Sequence, residues 1–314
     1  MNTSAIRTDV ASRQPSTPHL ILVALAGVLA ISSAAVLIRL ADADPLLTAF
    51  WRLAFSALLL GPLAWRSRTA GHSHARRLPR TTLVAGIALG LHFWAWMQSI
   101  ALTSIAISTL LVTTSPLWVA LAAPLIPGAQ KLAPRGWLGL LIALAAAAYI
   151  CWPNPTPLAT AGLAGPLWAI AGAILAAVYF SASARLRAHG STSAVGFSTT
   201  AVASVALLGV LLLRSTPLLA HPSHTWLAWL ALALIPQIIG HNALLWAMRW
   251  MSATVVSLLV LLEPLGAALL AAALLNERIG TREIFGGLGL LAGVALVVAT
   301  HKPEGQGVSR ETSD

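Results

Sequence analysis

Ten runs of about 20 mainly apolar residues, separated by short polar gaps, decide what this chain can fold into. They lie near residues 19–38, 46–65, 81–100, 103–126, 136–152, 163–184, 194–213, 226–246, 250–275 and 285–300. A helix rising ~1.5 Å per residue needs about that length to cross ~30 Å of hydrocarbon. Composition agrees, with 58% of residues hydrophobic and 9% charged, where soluble chains carry roughly 25% charged residues. Too few charges are present to build a water-facing shell, so most of the surface must meet lipid. There each span has to satisfy its own backbone polar groups, which a helix does. The expected fold class is an all-α integral membrane protein with ten transmembrane helices.

The net charge of +10 then serves topology and anionic headgroups, not nucleic acid, because the basic residues sit in gaps between spans and form no basic face. The amino-terminal segment and every second gap after it hold Arg7, Arg13, Arg66, Arg68, Arg76, Arg77, Arg80, Lys131, Arg135, Arg185, Arg187, Arg249, Lys302 and Arg310. The alternate gaps hold Arg39, Arg214, Arg278 and Arg282. Positive charge favours the cytoplasm, so both termini are expected inside, in a plasma (inner) membrane. Residues 1–18 and 301–314 read as cytoplasmic tails, and the first apolar run, too long for a signal-peptide core, as a retained helix. The single cysteine, Cys151, has no partner for an internal disulfide or a thiolate metal cage. His72 and His74 lie in a gap best read as a solvated loop serving topology. No metal site and no cofactor are expected.

The chain repeats itself. Residues 94–117 (WAWMQSIALTSIAISTLLVTTSPL) align without gaps on 242–265 (NALLWAMRWMSATVVSLLVLLEPL), with Ser104/Ser252, Val112/Val260, Pro116/Pro264 and Leu117/Leu265 identical. After a one-residue slip, Lys131 and Gly139 match Arg278 and Gly286. Matched leucines prove little between apolar helices; the matched Ser, Pro and Gly carry the argument. Each copy, 19–152 and 160–300, holds five spans. An odd number makes the second copy enter from the opposite face, so the copies are inverted repeats, a plan that places substrate near the midplane where they meet.

On these residues the chain resembles the drug/metabolite transporter superfamily, in its EamA-type family of ten-helix, two-repeat carriers. The likeness covers about residues 19–300. It is strongest at Thr103-Ser104 with Ser115-Pro116-Leu117 in the first copy, and at Ser252-Ala253, Glu263-Pro264-Leu265 and Asn276-Glu277-Arg278 in the second. The resemblance implies a secondary carrier, often an exporter of amino acids or other small metabolites. Copies in that family commonly carry an acidic residue where Gln130 stands, as the second copy does at Glu277; this departure bears on loop geometry.

Several residues are candidates for the mechanism. Pro116 and Pro264 each free the carbonyl four residues back, at Val112 and Val260, and freed backbone in a membrane must face protein or a wet cavity. They are helix-kink or gating candidates, against the plainer reading of a tolerated kink. Glu263, ~20 Å into its span, costs about 2.5 kcal/mol or more unless protonated, paired or hydrated. It reads as a proton-sensitive or amine-binding group, or as a neutral carboxyl bonded to a neighbouring helix; its repeat partner is the uncharged Ser115. Arg52 is the second charge inside a span. Pairing with Glu263, binding a substrate carboxylate, or snorkelling towards Asp42 or Asp44 are all open. Gln237, His241 and Asn242 cluster in the eighth span, with Gln237 and His241 four apart on one face. His92, beside Trp94 and Trp96 in the third span, is a ligand candidate or a satisfied structural group. Among the deeper tryptophans Trp96 is a stacking candidate, with helix packing the alternative. Trp226 and Trp229, with others near span ends, read as an aromatic belt.

The leading function is secondary transport of a small polar metabolite such as an amino acid, by alternating access and coupled to protons. The partners expected are that small-molecule substrate and the lipid bilayer, with no nucleic acid. A P-loop is absent from the sequence, so ATP-driven pumping is not expected. The alternative is a membrane-embedded enzyme acting on lipid or peptide, but no His-Glu-x-x-His or Gly-x-Ser-x-Gly occurs in the sequence. A channel would need rings of like groups or a continuous polar stripe.

Overall fold

The structure, a computed structural model, describes residues 17–69, 80–122, 133–151, 162–187, 192–241, 243–244 and 260–300. The described elements are helices: α1 (Thr17–Ala41), α2 (Pro45–Thr69), α3 (Arg80–Leu102), α4 (Ile105–Val112), α5 (Ser115–Ala122), α6 (Pro134–Cys151), α7 (Ala164–Arg187), α8 (Thr192–Leu213), α9 (Ser223–Leu232), α10 (Glu263–Leu275) and α11 (Thr281–Thr300). A π-helical turn, Ala233–Gly240, continues α9. α4 and α5 are two halves of one span, so the elements make ten spans. Among the described residues, six helices are long and apolar enough by length and composition to cross a membrane.

Local chemistry sets the ends. Asp44 Oδ1 accepts from the backbone N–H groups of Leu46 (2.9 Å) and Leu47 (3.1 Å), capping α2 with Pro45 at its first position. Asn276, in the left-handed region at φ 54°, caps the end of α10, and Asp42 (φ 45°) follows the end of α1. The fourth span breaks at Thr113–Thr114, just before Ser115-Pro116. The ninth breaks at Leu261–Leu262, just before Glu263-Pro264. The two breaks are 148 residues apart, the offset of the internal repeat. A proline lacks an N–H and clashes with the preceding turn, but fits the first turn of a helix that restarts there.

Helix pairing obeys the exchange of copies. α3 packs on α7 as α9 and its π-turn pack on α1; α2 faces α8 and α6 faces α11, each pair joining equivalent spans. Glycines set these contacts, because lipid offers no hydrophobic drive between helices and association needs close backbone approach. A Cβ on Gly139 of α6 would stand 2.7 Å from the carbonyl of Gly293 and 3.0 Å from the amide of Val297 in α11. Its repeat mate Gly286 meets Ile150, and Ile150 and Val297 are themselves 147 residues apart. The start of each helix thus touches the end of the other, so equivalent spans run antiparallel. Gly172 of α7 approaches His92 and Trp96 of α3, while Gly27 of α1 approaches Gly240 and Leu244; these partners are again 148 residues apart. The largest core, with Leu47, Leu53, Met97, Ile100, Leu207 and Trp229 fully buried, joins α2, α3, α8 and α9 across the copies.

Two readings need correction here. Trp229 is buried and belongs to no belt: its Nε1 donates to Thr48 Oγ1 (3.1 Å), and its ring meets those of Trp51 (5.9 Å) and Trp226 (5.0 Å). Asp44, offered as a partner for Arg52, spends its carboxylate on the α2 cap.

At Gly293, a Cβ would lie 2.6 Å from the amide nitrogen of Ala143. Gly293→Leu should therefore cost about 1–3 kcal/mol and lower the melting temperature in detergent by several degrees. Gly209→Ala in α8, where a Cβ meets nothing within 4 Å, should leave it unchanged or raise it slightly. Equal behaviour of the two variants would contradict a tight α6–α11 seam.

Candidate functional site

The sequence puts Arg52 in the first third of α2, within its apolar run, and the fold surrounds it with residues from both copies. Arg52 is 1% exposed. Its Nη2 donates to Gln237 Oε1 at 3.0 Å, from the π-turn of the second copy. Its guanidinium lies over the Phe93 ring of α3, 4.0 Å from the centroid, with Trp96 at 5.9 Å. A cation at this depth has to be held by protein, and an aromatic face with one amide oxygen supplies only part of what a guanidinium can bind. Arg52 Nε and Nη1 are buried without a hydrogen-bond partner, as is the indole N–H of Trp96, itself 4% exposed. Three unused donors thus belong to residues in contact with one another.

Glu263 opens α10, on the second copy's broken span. It is half-buried, whereas Arg52, the other charge inside a span, is fully buried. No ion pair joins the two; Arg52 neither pairs with Glu263 nor snorkels to the surface. The one hydroxyl hydrogen of Ser32 in α1 is shared between the backbone carbonyls of Val28 (2.8 Å) and Glu263 (3.2 Å), the latter where α10 restarts. Gly266, one turn on, leaves room for that serine. Ser115, the repeat mate of Glu263, is buried at the start of α5, which packs on α7.

Gln237 and His241 diverge in their surroundings. Pro236 has no N–H, and the chain around it widens into the π-turn. Gln237 then turns to Arg52, whereas His241 is exposed, with its Nδ1 2.7 Å from the Pro236 carbonyl. Asn242 lies outside the described residues. His92 is half-buried, with Nδ1 2.8 Å from the carbonyl of Gly172, and its ring stacks on Trp96 at 6.4 Å with 12° between planes. It serves the α3–α7 approach through that carbonyl. Pro264 follows Glu263 at the start of α10, and Pro116 holds the equivalent place at the start of α5.

Sequence reasoning missed Phe93 and Ser32. Phe93 precedes Trp96 by three residues and so shares its helical face, a pattern that, set beside a lone buried arginine, points to a cation over a ring. Nothing separates Ser32 from the other small residues of α1 before α10 is in place.

If Gln237 is the amide that holds Arg52, Gln237→Leu should cost about 1–3 kcal/mol of stability. The same change in an Arg52→Leu chain should cost much less. Melting curves of the four chains in detergent measure that coupling, and additive costs would contradict the contact.

Comparison with known proteins identifies the family. A family model, the EamA-like transporter family, matches residues 19–152 and again 163–299. One solved crystal structure superposes with a TM-score of 0.62 at 22% identity, covering 91% of this chain and 99% of its own; at that identity the likeness concerns the fold alone. No curated protein matches. With two copies of one family model spanning almost all of its length, the chain belongs to the EamA-like transporter family, multi-pass membrane proteins that carry small molecules and are not enzymes.

Proposed function

We propose that the chain is a secondary carrier that exports a small polar metabolite, such as an amino acid, by alternating access coupled to protons. The observation that carries this reading is Arg52: a cation buried where the copies meet, with two of its three guanidinium nitrogens unpartnered beside an unpartnered indole N–H. Donors left unused in a buried site suit a ligand that brings acceptors, and a guanidinium fork suits a carboxylate. Glu263, the acid inside the second copy's broken span, suits the substrate's amine or a proton. Gln237 orients Arg52, and Trp96 lines the carboxylate side. The breaks before Pro116 and Pro264 let the two half-spans swing as the copies rock. His92, His241, Asn242 and Ser115 belong to the surroundings of this path. The working halves are 19–152 and 160–300. Fourteen basic residues on the termini's side against four opposite favour cytoplasmic tails and a plasma (inner) membrane.

Counterflow in proteoliposomes, with labelled amino acids and other small metabolites, tests the reading. Uptake against unlabelled internal substrate, stimulated by a pH gradient, is expected. Arg52→Lys should raise KM about 10–150-fold, the worth of a charge-assisted hydrogen bond of about 1.5–3 kcal/mol. Glu263→Gln should remove the stimulation by the pH gradient. Saturable flux without counterflow would contradict a carrier, and unchanged pH dependence in Glu263→Gln would contradict the coupling role.

A further inference from the structure

A second polar cluster joins the copies at the face away from the termini, where α1 ends and the α3–α4 and α10–α11 connections lie. Arg39 Nη2 donates to the carbonyls of Ile100 (2.8 Å) and Thr103 (3.0 Å) at the end of α3, and lies 3.2 Å from Glu277 Oε1. Glu277 Oε2 accepts from the backbone N–H of Ile105 (3.0 Å) at the start of α4. Ser104, which caps α4 through the Ile107 N–H (3.2 Å), donates its hydroxyl to Glu283 Oε1 (2.7 Å). Glu283 Oε2 accepts from the Gly280 N–H (2.6 Å). A cation thus sits on a helix carboxyl end and an anion on a helix amino end, each where the backbone dipoles favour it. Arg39 and the α3–α4 hairpin belong to the first copy; both acids belong to the second.

The other face differs in sequence. At the 147-residue offset fixed by Gly139 and Gly286, Glu277 corresponds to Gln130 and Glu283 to Gly136. Ser104 keeps its counterpart in Ser252, and the end of α7 keeps cations in Arg185 and Arg187. The cations and the serine are therefore repeated in the sequence, but neither acid is.

We propose that Arg39, Glu277, Glu283 and Ser104 form a one-sided latch that must break for the central site to open away from the termini, and that the missing acids on the other face bias the resting carrier to open towards them. Rocking one copy against the other separates α1 and the α3–α4 hairpin from α10–α11, and every bond across that seam has to be lost. The latch takes its meaning in transport from the alternating-access reading, but it can be measured without a substrate.

The test places a cysteine behind the latch in a Cys151→Ala chain in nanodiscs. Ser108→Cys sits one turn beyond Ser104 and is fully buried, and Ser183→Cys, buried near the far end of α7, is the control. Maleimide labelling at position 108 should be slow in the parent and about 3–10-fold faster with Glu277→Gln or with Arg39→Gln, as the latch-free state becomes populated. Labelling at position 183 should not rise with it. No rise at position 108, or an equal rise at both positions as in general loosening, overturns the latch. A chain that shows the labelling response yet fails counterflow with every substrate sinks the carrier reading and leaves the latch standing.

Discussion

Between helices in lipid, apolar surface gains nothing by leaving one hydrocarbon for another, so this fold depends on how closely backbones can approach. Glycines provide that approach along several seams between the copies: Gly139, Gly286 and Gly293 between α6 and α11, Gly86 and Gly90 between α3 and α8, Gly172 between α7 and α3, and Gly27 and Gly240 between α1 and the π-turn. Several of these contacts recur under exchange of the copies, so one packing solution is used twice. At equivalent points of the fourth and ninth spans the helix stops and restarts just before a proline.

That scaffold makes an otherwise costly arginine tolerable. Arg52 lies at a depth where a free cation is strongly disfavoured, and the fold answers with the Phe93 face and the Gln237 amide. The answer is incomplete by two nitrogens. A protein needing Arg52 only for packing gains nothing by keeping unpaired donors there, since an apolar residue of similar shape is often as stable. Incomplete satisfaction at the junction of two copies is what a binding site requires before its ligand arrives. The asymmetry of the copies matters as much as their likeness: in the repeat Glu263 corresponds to Ser115, His92 to Gly240, and Glu277 to Gln130.

Much of this was legible in the chain. Span positions were, because crossing hydrocarbon sets a length that few other constraints imitate. The helix breaks were, because Pro116 and Pro264 act through local backbone chemistry. The inverted relation of the copies was, because five is odd. Contacts between residues far apart in sequence were not. Arg52 had Glu263, Asp42 and Asp44 as plausible partners by depth, and its choice of Gln237 depends on how α2 and the π-turn meet. The π-turn itself was hidden, since a proline in an apolar run signals a disturbance without saying which kind. Arg39 and Glu277 counted as topology charge and family motif. Their convergence on two helix ends appears only once α1, α3 and α10 are side by side.

The measurement that bears most directly on the account is disulfide cross-linking in membranes, in a Cys151→Ala chain, of cysteine pairs between α6 and α11. Copies that run antiparallel place position 146 against position 289, where a Cβ on Gly289 stands 3.2 Å from that of Ala146, and keep the repeat mates 139 and 286 well apart along the helices. Rapid cross-linking of Ala146→Cys with Gly289→Cys, and none of Gly139→Cys with Gly286→Cys, is the predicted result. The reverse pattern would mean that the copies run parallel, and would contradict the inverted arrangement on which the shared site depends.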